Sequence, residues 1–393
     1  MQALESLKTT VHFWPIAVVL TMMLLPVRSR WWAAAVLGVG LLVTAGGLRL
    51  GWVSPYAVQI EALICITAIL AVSLNLINGI AGLFSIGHAG FMLVGAYTAG
   101  ILTTFVFRLA PETALVLSLP AFLLSLLAGG LAAAVFGFVV GLPTLRLRGD
   151  YLAIATLAFG EIIGVLLRFI TFRREIRGFS YEIGGPRGIN DIPAMPGPAL
   201  PGMEGKTPVL MAFVFSLFLM ALVVWAIRNF AFSSHGRACA AIREDEVAAE
   251  ILGVDTVFYK VAVFVMGAFF AGVGGGLLAH WLNMVHPSMG GFLRSIEYLI
   301  IVYIGGIGSI SGAILAAALL TVVGELLKDL LHGQDAWRMV LYGAMLIIVI
   351  LWRPQGLYGG KEFKWLAPRR TRVGPRRLPR ASGSAEGKDD GRP

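Results

Sequence analysis

An acid and a base, Glu161 and Arg168, stand seven residues apart in the apolar stretch 151–172, on nearly one face of a helix. If that stretch crosses a bilayer, an ionised acid within it costs about 2.5–3.5 kcal/mol unless paired or wet, so the two are expected to form a buried polar pair. Such a group could serve as a gate or a proton site. Its commoner use is an internal hydrogen bond holding neighbouring helices, and that reading carries more weight here. A second set of polar side chains, Asn75, Asn78, Ser85 and His88, lies in a glycine-rich apolar surrounding that includes Gly87, and Ser309 and Ser311 form a third. His88 has no second His or Cys at ligand spacing, so no metal is expected. Arg294 with Glu297, and Glu325 with Lys328 and Asp329, stand near the ends of apolar segments and read as interfacial. Two further strings only imitate sites. Gly205-Lys206-Thr207 resembles the end of a phosphate loop, but the required earlier glycine is Leu200 and no strand precedes it. Gly272-Val273-Gly274-Gly275-Gly276 is glycine within a span rather than a dinucleotide loop. No nucleophile–base–acid set is visible. The chain is therefore read as no enzyme, with no ATP site and no cofactor, and its energy must come from a partner.

The densest charge lies in Arg243-Glu244-Asp245-Glu246-Val247-Ala248-Ala249-Glu250-Ile251-Leu252-Gly253. The spacing predicts one short amphipathic helix over 243–253. Its acidic first turn complements the helix dipole, and Val247, Ile251 and Val254 fall at i, i+4 and i+7 to make one apolar stripe. Gly253 is placed as the C-terminal stop. A helix lying on lipid would show the same stripe. Three consecutive acids, however, argue against an anionic membrane surface and for a protein partner.

The elements that must position these residues are membrane spans. Of the 393 residues 58% are hydrophobic and only 13% charged. A soluble domain of this length needs a more charged surface. Eleven apolar segments can be marked: 11–27, 31–48, 56–77, 84–107, 115–140, 151–172, 209–227, 261–281, 295–308, 310–331 and 339–352. Most approach the length that crosses a hydrocarbon core of about 30 Å, whereas 295–308 and 339–352 are short enough for half-helices or re-entrant pieces. The 48 glycines fit helices packed closely in lipid. Cys65 in an apolar block and Cys239 in a polar loop give no disulfide framework.

The first block is not a signal peptide, because Glu5 offsets Lys8 and the positive charges Arg28 and Arg30 follow the apolar core. Of the 31 basic residues, eleven follow Trp352 in a Pro/Gly/Arg-rich tail, which reads as a disordered cytoplasmic anchor near anionic lipid. With no folded basic module beside it, that charge does not suggest nucleic-acid binding. The tail places itself and loop 228–260 inside, loop 173–208 outside, and the N-terminus outside.

With those segments marked, several strings in fixed order resemble the membrane subunits of branched-chain amino acid ABC importers. They are Asn78-Gly79-Ile80-Ala81-Gly82-Leu83-Phe84-Ser85-Ile86-Gly87-His88-Ala89-Gly90-Phe91, Leu145 through Ile154, Gly184-Gly185-Pro186-Arg187-Gly188-Ile189, the run from Arg243 to Val261, and Tyr303-Ile304-Gly305-Gly306-Ile307-Gly308-Ser309. Together they span roughly residues 56–358.

The resemblance implies an all-α, polytopic permease fold of about eleven apolar segments in the bacterial plasma membrane. It implies extra spans in 1–55, a permease core in 56–358 with a cytoplasmic coupling loop at 228–260, and a disordered tail in 359–393. The expected partners are a second homologous permease, two ATP-binding-cassette ATPases and an extracytoplasmic solute-binding protein, with membrane lipid around the spans. Arg243, Glu244, Asp245, Glu246, Val247, Ala248, Ala249 and Gly253 would belong to the helix that docks on an ATPase. Asn75, Asn78, Ser85, Gly87, His88, Ser309 and Ser311 are assigned to the translocation path, where glycine-rich irregular stretches meet polar side chains. A path fed by a separate binding protein is expected to lack a deep, charge-lined pocket. The rivals are a secondary transporter driven by an ion gradient, with Glu161 as the coupling acid, and an ABC permease for urea or short amides.

Overall fold

The computed structural model describes residues 44–362, apart from 45, 51–52, 108–114, 146–148, 170, 177–178, 198–204, 331–339, 341–342, 345–346, 349–350, 353–355 and 359–361. For 115–116, 150, 171–176, 179–184 and 328–330 the backbone alone is described. Segment 11–27, nearly all of 31–48 and the tail from 363 lie outside the described residues, and 339–352 is described only in isolated positions.

The fold is helical. In chain order come α1 (Pro55–Asn75), α2 (His88–Ile101), α3 (Leu115–Thr144), α4 (Asp150–Phe169), α5 (Thr207–Ala231), α6 (Ser234–Glu244), α7 (Glu246–Ile251), α8 (Thr256–Leu282), α9 (Phe292–Gly305) and α10 (Ile310–Leu330). Seven of these, all but α6, α7 and α9, are long and apolar enough to cross a membrane among the described residues. The expected count of about eleven segments is not reached there. Segment 295–308 forms only the 14-residue helix α9, about 21 Å long and too short to cross the hydrocarbon core upright. Segment 151–172 stops at Phe169, and loop 173–208 begins as an antiparallel hairpin, β1 (Thr171–Ile176) with β2 (Phe179–Gly184), in which Thr171 pairs with Gly184.

Burial orders the spans. Helix α1 with its continuation to Ile80 is 94% buried over its apolar window, against 39% for α3 and 33% for α4. So α1 is central, and the outward faces of α3 and α4 leave Leu124, Leu131, Val135, Ile154 and Phe169 exposed. Helix α8 packs on α2 and α3, while α1 packs on α5, α8, α9 and α10. Glycine makes the tightest crossing: a Cβ on Gly95 would stand 2.2 Å from the carbonyl oxygen of Gly272, so α2 and α8 touch backbone to backbone. One buried histidine at depth is held inside the bundle. His280 Nε2 lies 3.1 Å from Thr103 Oγ1 and His280 Nδ1 2.7 Å from the Gly276 carbonyl.

The short elements settle at two ends. Helices α6 and α7 and the first turn of α8 gather at one end, where α6 touches the segment 76–80 that continues α1 as a wider π turn. Helix α8 then runs 27 residues, about 40 Å, to the opposite end. There Val285 and Ile189 bridge through two backbone hydrogen bonds of 2.8 and 2.9 Å. Residues 189–192 of loop 173–208 and the loop 283–291 thus share the end remote from loop 228–260.

Candidate functional site

The charged run does not form one helix. Asp245 is extended (φ −157°, ψ 112°) and breaks it into α6 and α7. Its Oδ1 accepts from the backbone N–H of Val247 at 2.9 Å and of Ala248 at 3.0 Å, a side-chain cap for α7. The reading of 243–253 as a single helix is corrected on this point: the aspartate caps a new helix instead of riding in the first turn of an existing one. Gly253 takes φ +83° after α7, and the N–H groups of Gly253 and Val254 return to the carbonyls of Glu250 and Ala249, so it ends the helix as expected.

The acids are largely used within the chain. Glu246 pairs with Lys260 of α8, whose side chain is 10% exposed, and Glu250 accepts from Thr256 Oγ1 at 2.8 Å. Glu244 meets Arg243 at 3.1 Å and stays open to solvent. The surface this leaves is apolar: Val247 is 54% exposed, and Ile251 and Leu252 are each 81% exposed. Ala248 is exposed and Ala249 buried beneath them.

Arg243 leads inward. Its Nη1 donates to the Gly79 carbonyl at 2.8 Å. Gly82, at φ +70°, passes so close that a Cβ there would stand 2.4 Å from Arg243 Cγ. The assigned path residues are clustered around this point. Asn75 Oδ1 accepts from the N–H of Gly308 at 2.8 Å, and its Nδ2 donates to the Ser309 carbonyl at 2.9 Å. Asn78 grips Ser85 in the same two-handed way, each bond 3.2 Å. His88 Nε2 lies 2.9 Å from Ser73 Oγ. Ser309 Oγ accepts from Gly312 N–H at 3.0 Å, and Ser311 donates to Glu362, whose carboxylate also accepts from the Ile310 and Ser311 amides at the start of α10. Asn75, Ser85, His88, Ser309 and Ser311 are fully buried and Asn78 nearly so. In this conformation they form a closed polar knot between the end of α1, the start of α2 and the α9–α10 turn.

Gly87 is packed tightly against α4. A Cβ on it would fall 2.0 Å from the Thr156 carbonyl oxygen, so a larger residue would push α4 away rather than fill a channel. Glu161 and Arg168 do not make the expected pair. Glu161 Oε1 accepts from Phe292 N–H at 2.6 Å and so caps α9, whereas Arg168 is exposed, and no ion pair joins the two among the described residues.

Two features escaped the sequence reading. Glu61, within segment 56–77, is 2% exposed, and neither carboxylate oxygen has a partner among the described residues; an acid inside an apolar block was the available signal. The second is a cavity lined in part by Arg294, Glu297 and Glu325. Its lining comes from four helices, which no single sequence window reveals. Among the described residues no His, Cys, Asp and Glu cluster could hold a metal ion.

With this geometry in place, the comparisons are specific. Residues 56–350 match the family described as branched-chain amino acid transport system, permease component. The chain is 36% identical over 327 residues to the high-affinity branched-chain amino acid transport system permease protein LivM of Salmonella typhimurium, covering 78% of this chain and 70% of that protein. It is 36% identical over 335 residues to LivM of Escherichia coli, covering 79% and 72%. To the permease BraD of Pseudomonas aeruginosa it is 28% identical over 299 residues, covering 75% and 92%. No solved structure matches.

Proposed function

The chain belongs to the family of branched-chain amino acid transport system permease components, and on that premise we propose how the subunit works. It is a multi-pass membrane protein, the permease subunit of an ATP-binding-cassette importer for branched-chain or related amino acids. It is not an enzyme; ATP hydrolysis lies with separate ATPase subunits. We assign its partners as a second homologous permease, two ATPases and an extracytoplasmic solute-binding protein. The core is taken as 56–358, preceded by extra spans and followed by the tail 359–393. Loop 228–260 and the tail face the cytoplasm, and loop 173–208 and the N-terminus the outside.

In this reading α7, with the end of α6, docks in an ATPase groove through Val247, Ile251 and Leu252. One observation carries it: an exposed apolar surface on α7, which Glu246 ties to Lys260 of α8, next to the end of α6, which Arg243 ties to Gly79. Movement of the docked helix would then pull on the end of α1 and the start of α8 together. The polar knot around Asn75 and Asn78 is the inner closure of the translocation path, which runs along segments 75–100 and 297–312. The test is co-purification with the ATPases: Val247→Asp places a charge in the docking surface and should release them. Retained binding would remove α7 from the interface. The rival reading, with Glu161 as an ion-coupling acid, is weakened by that carboxylate's role as the cap of α9.

A further inference from the structure

Helices α1, α8, α9 and α10, with Met289, line a partly open cavity of about 240 Å³. It lies toward the end of the bundle remote from α6 and α7, because it takes Leu278 and Leu282 from the far end of α8 and Arg294 from the first turn of α9. That volume lies below the ~300–1,000 Å³ of pockets for drug-sized ligands, which suits one small solute. Much of the wall is aliphatic, with Ile66 and Leu70 of α1, Leu278 of α8, Ile301 of α9 and Leu320 of α10, and Trp281 and Tyr298 add aromatic surface. Charge is confined to three side chains of the lining, Arg294, Glu297 and Glu325. Arg294 Nη1 donates to Glu297 Oε2 at 2.8 Å, and Tyr56 donates to Glu325 Oε2 at 3.1 Å.

An aliphatic chamber with one cation and two carboxylates is complementary to a zwitterion that carries an apolar side chain. We propose that this cavity receives a single aliphatic α-amino acid during import. Arg294 takes the α-carboxylate, Glu297 and Glu325 take the α-ammonium, and the side chain lies against Ile66, Leu70, Leu278 and Ile301. The inference rests on the permease reading above and adds to it the place and chemistry of solute contact. Binding gives up the Arg294–Glu297 pair and desolvates the charges, which offsets part of the gain from the pairs made with the solute, so the solute is held loosely enough to pass on. The same helices lead inward to the closure: α1 carries Leu70 in the cavity and Asn75 in the knot, and α9 runs from Arg294 to the turn that Asn75 holds.

The test uses the complete importer, with its ATPases and solute-binding protein, in liposomes, measuring ATP-driven uptake of labelled leucine. Arg294→Gln and Glu297→Gln should each lower uptake by about ten- to a hundred-fold, the scale of a lost hydrogen bond to a charged group, with the subunits still co-purifying and Arg294→Lys partly restoring uptake. A second arm covers variants that fail to assemble. Thr321→Cys, which places a thiol in the cavity lining, is made together with Cys65→Ala and Cys239→Ala. Its reaction with a bulky methanethiosulfonate should suppress leucine uptake relative to the same complex before reaction. Wild-type uptake in the assembled glutamine variants, or in the modified cysteine variant, overturns the cavity assignment. A wild-type complex that hydrolyses ATP but imports no branched-chain amino acid would instead overturn the parent reading.

Discussion

The Nη1 of Arg243 donates to the carbonyl oxygen of Gly79 at 2.8 Å, joining the charged cytoplasmic loop of the proposed topology to the end of the most buried span. A hydrogen bond from a charged donor contributes about 1.5–3 kcal/mol. The partly exposed Arg243 belongs at the lower end of that range. Arg243→Ala is expected to reduce transport by about ten-fold while the ATPases remain bound and active. Uptake and hydrolysis measured on one preparation check this. Proportional loss of both would mean that Arg243 serves docking and not transmission.

Gly253 offers a cleaner backbone test. Its φ is +83°, and a Cβ built there meets nothing within 4 Å. Gly253→Val therefore strains the chain without a clash, at about 1–2 kcal/mol. Gly253→Asn, a residue that tolerates the left-handed region, should cost less. Co-purification of ATPase with the valine variant should fall and with the asparagine variant largely persist.

Gly87 makes the opposite prediction. Because the Thr156 carbonyl would lie 2.0 Å from its Cβ, even Gly87→Ala should lower the thermal unfolding midpoint and the membrane yield. A residue that merely lined a pore would accept alanine and fail only with leucine. An alanine variant of normal stability would return Gly87 to the path.

Orientation is accessible to labelling. Exposed Ala194 and Ser234 stand at opposite ends of α5. In whole cells an impermeant thiol reagent should modify Ala194→Cys and spare Ser234→Cys; the reverse would invert the topology. The native background is low, since Cys65 and Cys239 are both buried and burial pushes the Cys239 thiol up to about 11.

Much of the scaffold was legible before any coordinates. Segment 209–227 announced α5 by apolar length, and Gly253 announced the end of α7 because few residues but glycine accept its backbone. The kink at Asp245 was also signalled, since aspartate is a preferred helix cap, but its charge fits a first turn equally well. The knot was not legible. Asn75 binds the backbone of Gly308 and Ser309, more than two hundred residues away, and a backbone partner leaves no residue-type signature. The partner of Glu161 was hidden for the same reason: Arg168 was visible in the sequence, but the hydrogen bond holding neighbouring helices goes to the Phe292 amide.

The central claim is that ATP hydrolysis in bound partners drives solute through this chain by way of α7. The direct measurement is labelled leucine uptake into liposomes carrying the complete importer, with and without ATP, for the wild type and for Val247→Asp. The account predicts uptake that requires ATP and binding protein and is abolished in Val247→Asp. Uptake by this chain alone, driven by an ion gradient and indifferent to ATP, would contradict it.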